Sequence, residues 1–452
     1  MYKAEDDRVK VRALVGLCKL GSVGGSDVNA RTFAEGSTVK LENACRRFLV
    51  DTERGDILRK WAAEGMAFLT LDATVKEALI GDTPALTALL ELAKTPDSSL
   101  QFGVSTILVN LTNSYEKPER DEELEELGRY AGENIPKEHE WDGEEFVKKR
   151  VKILLEVKVV VILLELAGNK STTVHEQVSR VFLALTNEVD NRGAVIQQGG
   201  AKALLGLATD NTAKGKFIAA QALAKLGITS DPRLAFPGQR SLEVVRPLVS
   251  LLTAEQGLMQ FEGLMALTNL ASMNDDVRRR ILKEGGVGHM ESLMFEEHEL
   301  IRRAATEALC NMICLPEVAA RFHRSDDIER VKLWTLFSGE EDEKLAIAAA
   351  GGLSVLSRDP KVCEQILAVK SAIEILKELV TSGSEELQFR GLYLVANLVE
   401  SSREAAEKVM EGELMDVCTA YSQGDFPARL KEAAQRALTR QSSTESSNKT
   451  LN

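Results

Sequence analysis

Two cysteines spaced by four residues, Cys310 and Cys314, are the first candidates for chemistry in this 452-residue sequence. Side chains at i and i+4 share one face of a helix, and such a pair of thiolates is half of a structural zinc site. The whole chain has only five histidines, and none is adjacent to this pair. The pattern therefore favours structural thiols over a zinc site, and we expect no metal and no cofactor.

The glycine-rich stretch Gly21–Ser26 is a second candidate, because glycines next to a helix can cradle a phosphate group. It lacks the Gly-Lys-Ser/Thr that completes a phosphate loop, and it follows a helical pattern where such a loop follows a strand. His175, His289, His298 and His323 have no nucleophile or carboxylate in a catalytic pattern beside them. We predict that the chain is not an enzyme.

A different set of side chains is suited to holding an extended peptide. These residues recur at i, i+4 and i+8 of helix-sized segments, so that each trio forms a stripe on one helix face. An asparagine amide both donates and accepts hydrogen bonds and can hold a peptide backbone, while aromatic rings and methionine hold apolar side chains. The predicted binding residues are Phe261, Met265, Asn269, Arg303, Glu307, Asn311, Phe389, Tyr393, Asn397 and Phe217.

Each residue type in these stripes has a structural alternative. The rings could pack in the core against the neighbouring repeat, as most phenylalanines do. Each asparagine could instead tie down a loop of the adjacent repeat, because a buried amide must satisfy several hydrogen bonds. A further stripe of the same kind is Phe102, Thr106 and Asn110.

The helices that must position these stripes recur with a period near 42 residues. Successive segments end on an apolar residue, and the spacings between these residues are 40, 74, 41, 44, 42, 44 and 42. That period without strand-like alternation is typical of armadillo or HEAT repeats. We predict an all-α fold, a right-handed armadillo-repeat superhelix (α-solenoid). The closing residues are Leu71, Leu111, Leu185, Leu226, Leu270, Met312, Leu356 and Leu398, with Leu20 in the same role in a displaced first repeat.

Glycines mark the bends between the helices of a repeat, at Gly199-Gly200 and Gly285-Gly286 and similarly at Gly81 and Gly412. The one long spacing holds a strongly acidic insertion, 116–150. It is either a solvated excursion or a segment that docks back onto the repeats. The predicted organisation is 1–115 as central-region repeats, 116–150 as insertion or linker, 151–440 as a second repeat domain and 441–452 as a disordered tail.

The overall composition of the chain limits which partners it can bind and in which cellular compartment we expect it. A net charge of −13 argues against broad binding to nucleic acid or to an anionic membrane. Six scattered cysteines form no disulfide framework, and the first residues carry no secretory signal. We therefore expect a cytoplasmic protein without nucleic-acid or membrane partners, and leave self-association open.

Several stretches resemble the UCS-domain myosin chaperones. They include WAAEGMAFLTLDA at 61–73, AFPGQR at 235–240 and FEEHELIRRAATE at 295–307. The resemblance covers nearly the whole chain. It implies a chaperone or co-chaperone that binds the myosin motor domain in a concave armadillo groove, prevents its aggregation and promotes folding and thick-filament assembly. It also implies that residues 151–440 are the UCS domain and that the protein associates with sarcomeres in muscle.

The resemblance also bears on further partners. Animal members of this family carry an N-terminal tetratricopeptide domain that recruits heat-shock chaperones of the 70 and 90 kDa classes (Hsp70 and Hsp90). That domain is missing from this chain, so we expect those partners to be recruited through a part that it lacks. The alternative function is an armadillo-type interaction scaffold or a nuclear-import-like adaptor. Import receptors pair tryptophan with asparagine along the stripe, whereas Trp61, Trp141 and Trp334 all lie outside it.

Overall fold

A computed structural model describes residues 6–23, 36–116, 130, 139–323, 328–410 and 413–449. Throughout these ranges the regular structure is helical, with two 3₁₀ turns at Thr52–Arg54 and Glu140–Asp142 and no strand. The chain divides into two compact units, unit 1 at Met1–Leu251 and unit 2 at Leu252–Asn452. The prediction of an all-α fold is confirmed for the described residues.

The helices of unit 1 recur in sets of three, and the third helix of each set carries the recurring apolar residue. Their bounds are α1 Asp7–Gly21, α2 Ser37–Leu49, α3 Asp56–Leu69, α4 Ala73–Gly81, α5 Thr83–Leu92, α6 Ser98–Leu111, α7 Glu144–Glu156, α8 Val159–Ala167, α9 Thr172–Asn187, α10 Val189–Gln197, α11 Gly200–Leu207, α12 Ala213–Thr229, α13 Pro232–Ala235, α14 Arg240–Glu243 and α15 Val245–Leu251.

Unit 2 continues the same plan. Its helices are α16 Gly257–Ala271, α17 Asp275–Lys283, α18 Gly286–Leu293, α19 Glu299–Ile313, α20 Pro316–Ala319, α21 Ile328–Phe337, α22 Glu343–Leu356, α23 Pro360–Leu367, α24 Ala372–Thr381, α25 Glu385–Ser401, α26 Arg403–Met410, α27 Leu414–Gln423 and α28 Ala428–Lys449.

The third helix of each repeat packs on the third helix of the next. In unit 1 these third helices are α3, α6, α9 and α12, and in unit 2 they are α16, α19, α22, α25 and α28. The predicted bends lie between the first and second helices, where Gly199 and Gly285 have φ of 90° and 83°. A side chain disfavours this left-handed backbone, which is why glycine stands there. Gly81 ends α4, and Gly412 lies outside the described residues.

The recurring apolar residue that closes each third helix is buried in seven of the eight predicted positions. Leu71 is the exception, because α3 ends at Leu69 and leaves Leu71 38% exposed. Leu69 is fully buried and lies 42 residues before Leu111, so it is the true closing residue of that repeat. The role predicted for Leu20 is also wrong. Its side chain is 57% exposed, and Cys18 is the buried residue of that turn.

The last part of the acidic insertion, residues 139–150, docks on α4 through a cluster that we call the clasp, formed by Lys76, Asn113, Asp142 and Arg150. The Asn113 amide, three residues before the insertion, donates to the Asp142 carbonyl oxygen at 3.1 Å and so ties the end of α6 to the last part of the insertion. Lys76 Nζ lies 2.7 Å from both Asp142 Oδ1 and Asn113 Oδ1. The side chains of Lys76 and Arg150 are fully buried. The acidic run Asp121–Glu126 lies outside the described residues.

The predicted domain boundaries at 115, 150 and 440 stay predictions. Helix α28 continues to Lys449, into the segment for which the sequence predicts a disordered tail. The described helices are also too short or too polar for any of them to cross a membrane.

Candidate protein-binding surface

The predicted stripe residues of unit 2 lie on three third helices, α16, α19 and α25. Eight of these nine residues are half-buried, as expected for side chains that line a surface, and Asn397 is buried. The tenth predicted residue, Phe217, is half-buried on α12 of unit 1. Their binding role stays a prediction, and the contacts below show what each side chain does in the folded chain.

Phe261 and Met265 lie one turn apart on α16 and present apolar groups at its surface. The core side of this helix is formed by Leu264, Leu267 and Leu270, which are fully buried. Since Phe261 and Met265 are both half-buried, they line the face of the helix rather than fill its core side. Of the two alternatives for these side chains, the structure favours the surface position.

The α19 stripe carries opposite charges. Arg303 Nε donates to Asp342 Oδ2 at 2.8 Å, and Asp342 also caps α22 by accepting from the backbone nitrogen of Lys344 at 3.1 Å. Glu307 lies one turn after Arg303 and is half-buried. Desolvation raises the pKa of Glu307, although Arg303 acts in the opposite direction. This part of the surface therefore combines a paired cation with a carboxylate that is costly to ionise.

Two of the three stripe asparagines of unit 2, Asn311 and Asn397, bond to the third helix of the preceding repeat or to its end. Asn311 Nδ2 donates to the Thr268 carbonyl oxygen at 3.0 Å. Asn397 Nδ2 donates to the Ser354 carbonyl oxygen at 3.2 Å and to Ser357 Oγ at 2.7 Å. These bonds favour the structural alternative for Asn311 and Asn397, whose amides each join two adjacent repeats. The same arrangement occurs in unit 1, where Asn110 Nδ2 donates to Thr70 Oγ1 at 3.0 Å.

The two rings of the α25 stripe are covered by arginines of the last helix. Phe389 and Tyr393 are tilted neighbours with their centroids 6.1 Å apart. The guanidinium carbon of Arg429 lies 5.2 Å from the Phe389 centroid, and that of Arg436 lies 4.8 Å from the Tyr393 centroid. A cation over an aromatic face is attracted by the ring quadrupole. A peptide that reaches these rings must therefore lie beside the arginines or displace them.

Arg429 and Arg436 are the contacts that the sequence reasoning missed. Arg436 also donates to Asn397 Oδ1 at 2.6 Å and to Glu400 Oε1 at 2.7 Å, so it belongs to the same surface as the predicted stripe. Their spacing of seven residues was a usable signal, because residues at i and i+7 share a helix face.

The structure offers little for metal or thiol chemistry at Cys310 and Cys314. Cys314 is exposed, whereas burial raises the pKa of the Cys310 thiol to about 11. Among the residues that the structure describes, no three histidine, cysteine or acidic side chains come together in a way that could hold a metal ion.

Comparison with known proteins places this chain in a family. No family model matches the chain. It is 44% identical over 447 residues to protein unc-45 homolog B of Xenopus tropicalis, covering 96% of this chain and 48% of that protein. It is 42% identical over 447 residues to the human unc-45 homolog B, covering 97% and 48%. The chain belongs to the UCS-domain family. It spans about half the length of the curated relatives that it matches.

Solved structures agree with this UCS-family assignment. UNC-45 from Drosophila melanogaster superposes with a TM-score of 0.88 at 42% identity, covering 98% of this chain and 57% of that one. A second UNC-45, described as a chaperone that binds and folds muscle myosin, superposes with a TM-score of 0.84 at 34% identity, covering 98% and 46%. The structure of She4p, at 19% identity and a TM-score of 0.75 over 96% and 59%, is alike in fold alone. The predicted armadillo-type solenoid is thereby confirmed.

Proposed function

We propose that this chain is the client-binding part of a myosin-directed chaperone. It would hold an incompletely folded segment of the myosin motor domain along the stripes of unit 2, and thereby keep that segment from aggregating. The observation that carries the proposal is the row of half-buried residues on α16, α19 and α25, in a chain 42–44% identical to unc-45 homologs B.

Contacts within unit 2 sharpen which residues would hold the client. Phe261 and Met265 supply apolar surface, and Arg303 and Glu307 lie on the next third helix. The asparagines contribute through the spacing of the repeats that they join, because two of them already donate to the preceding helix. We therefore assign the largest share of client contact to α16 and the smallest to α25, whose rings are covered by arginines.

Protection of this kind needs no nucleotide and no catalysis, since covering apolar surface is enough to slow aggregation. We propose that the chain is not an enzyme. Worm UNC-45 has been solved in complex with an Hsp90 peptide and with an Hsp70 peptide. We propose that the protein containing this chain works with both classes of chaperone in the cytoplasm, at sarcomeres in muscle, and that promotion of thick-filament assembly belongs to that whole protein.

The test is light scattering of a gently heated myosin motor fragment with and without this chain. The variants Phe261→Glu and Asn269→Tyr are compared with the parent chain after circular dichroism has shown that they are folded. We expect the parent to suppress scattering and both variants to protect less. Equal protection by all three chains would place the client elsewhere, and no protection by the parent would contradict the proposed function.

A further inference from the structure

Unit 1 has an open apolar groove on its third helices, and none of the residues that line it belongs to the stripes of unit 2. The groove lies between α3 and α6, reaches the start of α9 and has a volume of about 760 Å³. Its walls include Phe68 and Leu71 from α3 and its end, and Phe102 and Gly103 from α6. Phe102 is 45% exposed and Leu71 38% exposed. Exposed apolar side chains grouped around a groove are typical of a binding site.

Two cations hold a carboxylate on the neighbouring third helices. Lys214 Nζ, at the start of α12, lies 2.5 Å from Glu116 Oε1, and Arg180 Nη2 of α9 donates to the same oxygen. Arg180 also donates to Glu176 Oε1 at 2.7 Å and to the Ser114 carbonyl oxygen at 3.5 Å. Glu116 and Lys214 are 59% and 56% exposed, so water reaches this pair freely. Lys214 and Arg180 together lower the pKa of Glu116 to about 2.

A hydrogen bond between α6 and α9 connects the groove wall with the helix that carries Arg180. Thr106 in the groove wall accepts a hydrogen bond from Gln177 Nε2 at 3.0 Å, and Gln177 lies one turn before Arg180 on α9. The middle of the groove lies between α3 and α6, and the Glu116 carboxylate lies between Arg180 of α9 and Lys214 of α12, two third helices further along. Packed helices lie roughly 8–10 Å apart, so these two points are about 16–20 Å from each other. An extended chain covers that distance in about six residues, at about 3.3 Å per residue.

We propose that unit 1 binds an extended peptide whose apolar side chains enter this groove and whose carboxylate, about six residues further on, replaces Glu116 between Arg180 and Lys214. Glu116 is then an internal competitor that occupies the carboxylate position until an acidic peptide arrives. The chemistry of the occupant follows from charge complementarity, because the group already held by the two cations is a carboxylate. The site goes beyond the proposed function, which rests on unit 2.

Fluorescence anisotropy on the whole chain tests this proposal. The probe is a fluorescein-labelled peptide, Leu-Phe-Leu-Ser-Gly-Ser-Gly-Asp-Glu, and its counterpart ends in Asn-Gln in place of Asp-Glu. We expect the acidic probe to bind at least about fivefold more tightly than the amide probe, since only the former can pair with the cations. Glu116→Gln should tighten binding of the acidic probe about two- to tenfold. While Glu116 occupies the cations, only the remaining fraction of chains can bind the probe, and the apparent affinity is reduced in proportion to that fraction.

Variants of the groove and of the cations complete the test. Lys214→Gln should weaken the acidic probe and leave the amide probe unchanged, whereas Lys216→Gln, two residues away on α12 and exposed, is the matched control with no effect. Gly103→Trp should reduce binding of both probes, because the added ring enters open groove space. Equal affinity for the two probes, no response to Glu116→Gln, or absence of binding to both parent and Glu116→Gln would each overturn the proposal. If the parent chain binds the acidic probe but does not protect myosin from aggregation, the proposed function of unit 2 fails and the proposal for unit 1 stands.

Discussion

Replacing Arg150 by methionine should destabilise unit 1 more than any surface substitution. The fully buried guanidinium makes hydrogen bonds in several directions. Its Nε donates to the Leu111 carbonyl oxygen at 2.8 Å, and its Nη1 lies 2.7 Å from Glu77 Oε1 and 2.8 Å from the Trp141 carbonyl oxygen. Methionine keeps the apolar stem but leaves these acceptors without the cation.

The expected size follows from the cost of an unpaired buried charge. Breaking a buried ion pair by removing one partner costs about 3–5 kcal/mol. Glu77 is 19% exposed and Asp142 only 7% exposed, so water compensates little. With a urea m-value of about 2–3 kcal/mol per molar, the unfolding midpoint of unit 1 should fall by about 1–2.5 M.

The assay is urea unfolding followed by circular dichroism and by tryptophan fluorescence. Trp141 is a local reporter, because its carbonyl oxygen is one of the acceptors that Arg150 satisfies. The matched control is Arg12→Met, which removes a half-exposed arginine paired with Glu64 at 3.0 Å and should cost less than about 1 kcal/mol. If Arg150→Met lowers the midpoint no more than Arg12→Met does, the clasp contributes little and this reasoning is refuted.

Three further substitutions test unit 2 by denaturation. Gly352→Ala should lower the free energy of unfolding by about 1–3 kcal/mol, because the new Cβ would lie 2.7 Å from Cε3 of the buried Trp334 ring. The control Gly288→Ala places its Cβ in open space and should be neutral or stabilising. Equal effects of the two substitutions would contradict this. Glu307→Gln should raise the melting temperature at pH 7 but not at pH 4. Burial raises the pKa of Glu307 above its ordinary value, so the folded chain loses stability as the pH rises and this carboxyl must ionise. At pH 4 the carboxyl is mostly protonated in both states and the substitution gains little. An equal change in melting temperature at both pH values would count against this reasoning. Asn397→Ala should cost about 1–3 kcal/mol through the hydrogen bonds lost to the preceding helix, and a change below about 0.5 kcal/mol would argue against a structural role.

The helical repeat could be predicted from the sequence because burial imposes its own period. Each third helix must bury one apolar stripe against its neighbours, so apolar residues recur wherever a repeat recurs. The error at Leu71 shows where this reasoning fails. Leu69 and Leu71 are both apolar, and only the end of α3 at Leu69 decides which of them lies inside.

The roles of the polar residues could not be predicted in the same way. The partner of Asn397 lies 43 residues earlier in the chain, so no local pattern distinguishes an amide that joins repeats from one that faces a peptide. Arg150 is likewise an unremarkable residue in the sequence, and its burial follows only from the contact of α4 and the end of α6 with the last part of the insertion. The cations Arg429 and Arg436 were missed because their ring partners belong to another helix.

The central claim is that the client lies along the stripes of unit 2, and site-directed photo-crosslinking tests it most directly. A benzophenone side chain is introduced at Met265 on the stripe or, as control, at Lys283 at the end of α17, and each chain is irradiated with a gently heated myosin motor fragment. The account predicts strong crosslinking from position 265 and little from position 283. Crosslinks that are equal at the two positions, or absent at 265 while the chain still suppresses aggregation, would contradict it.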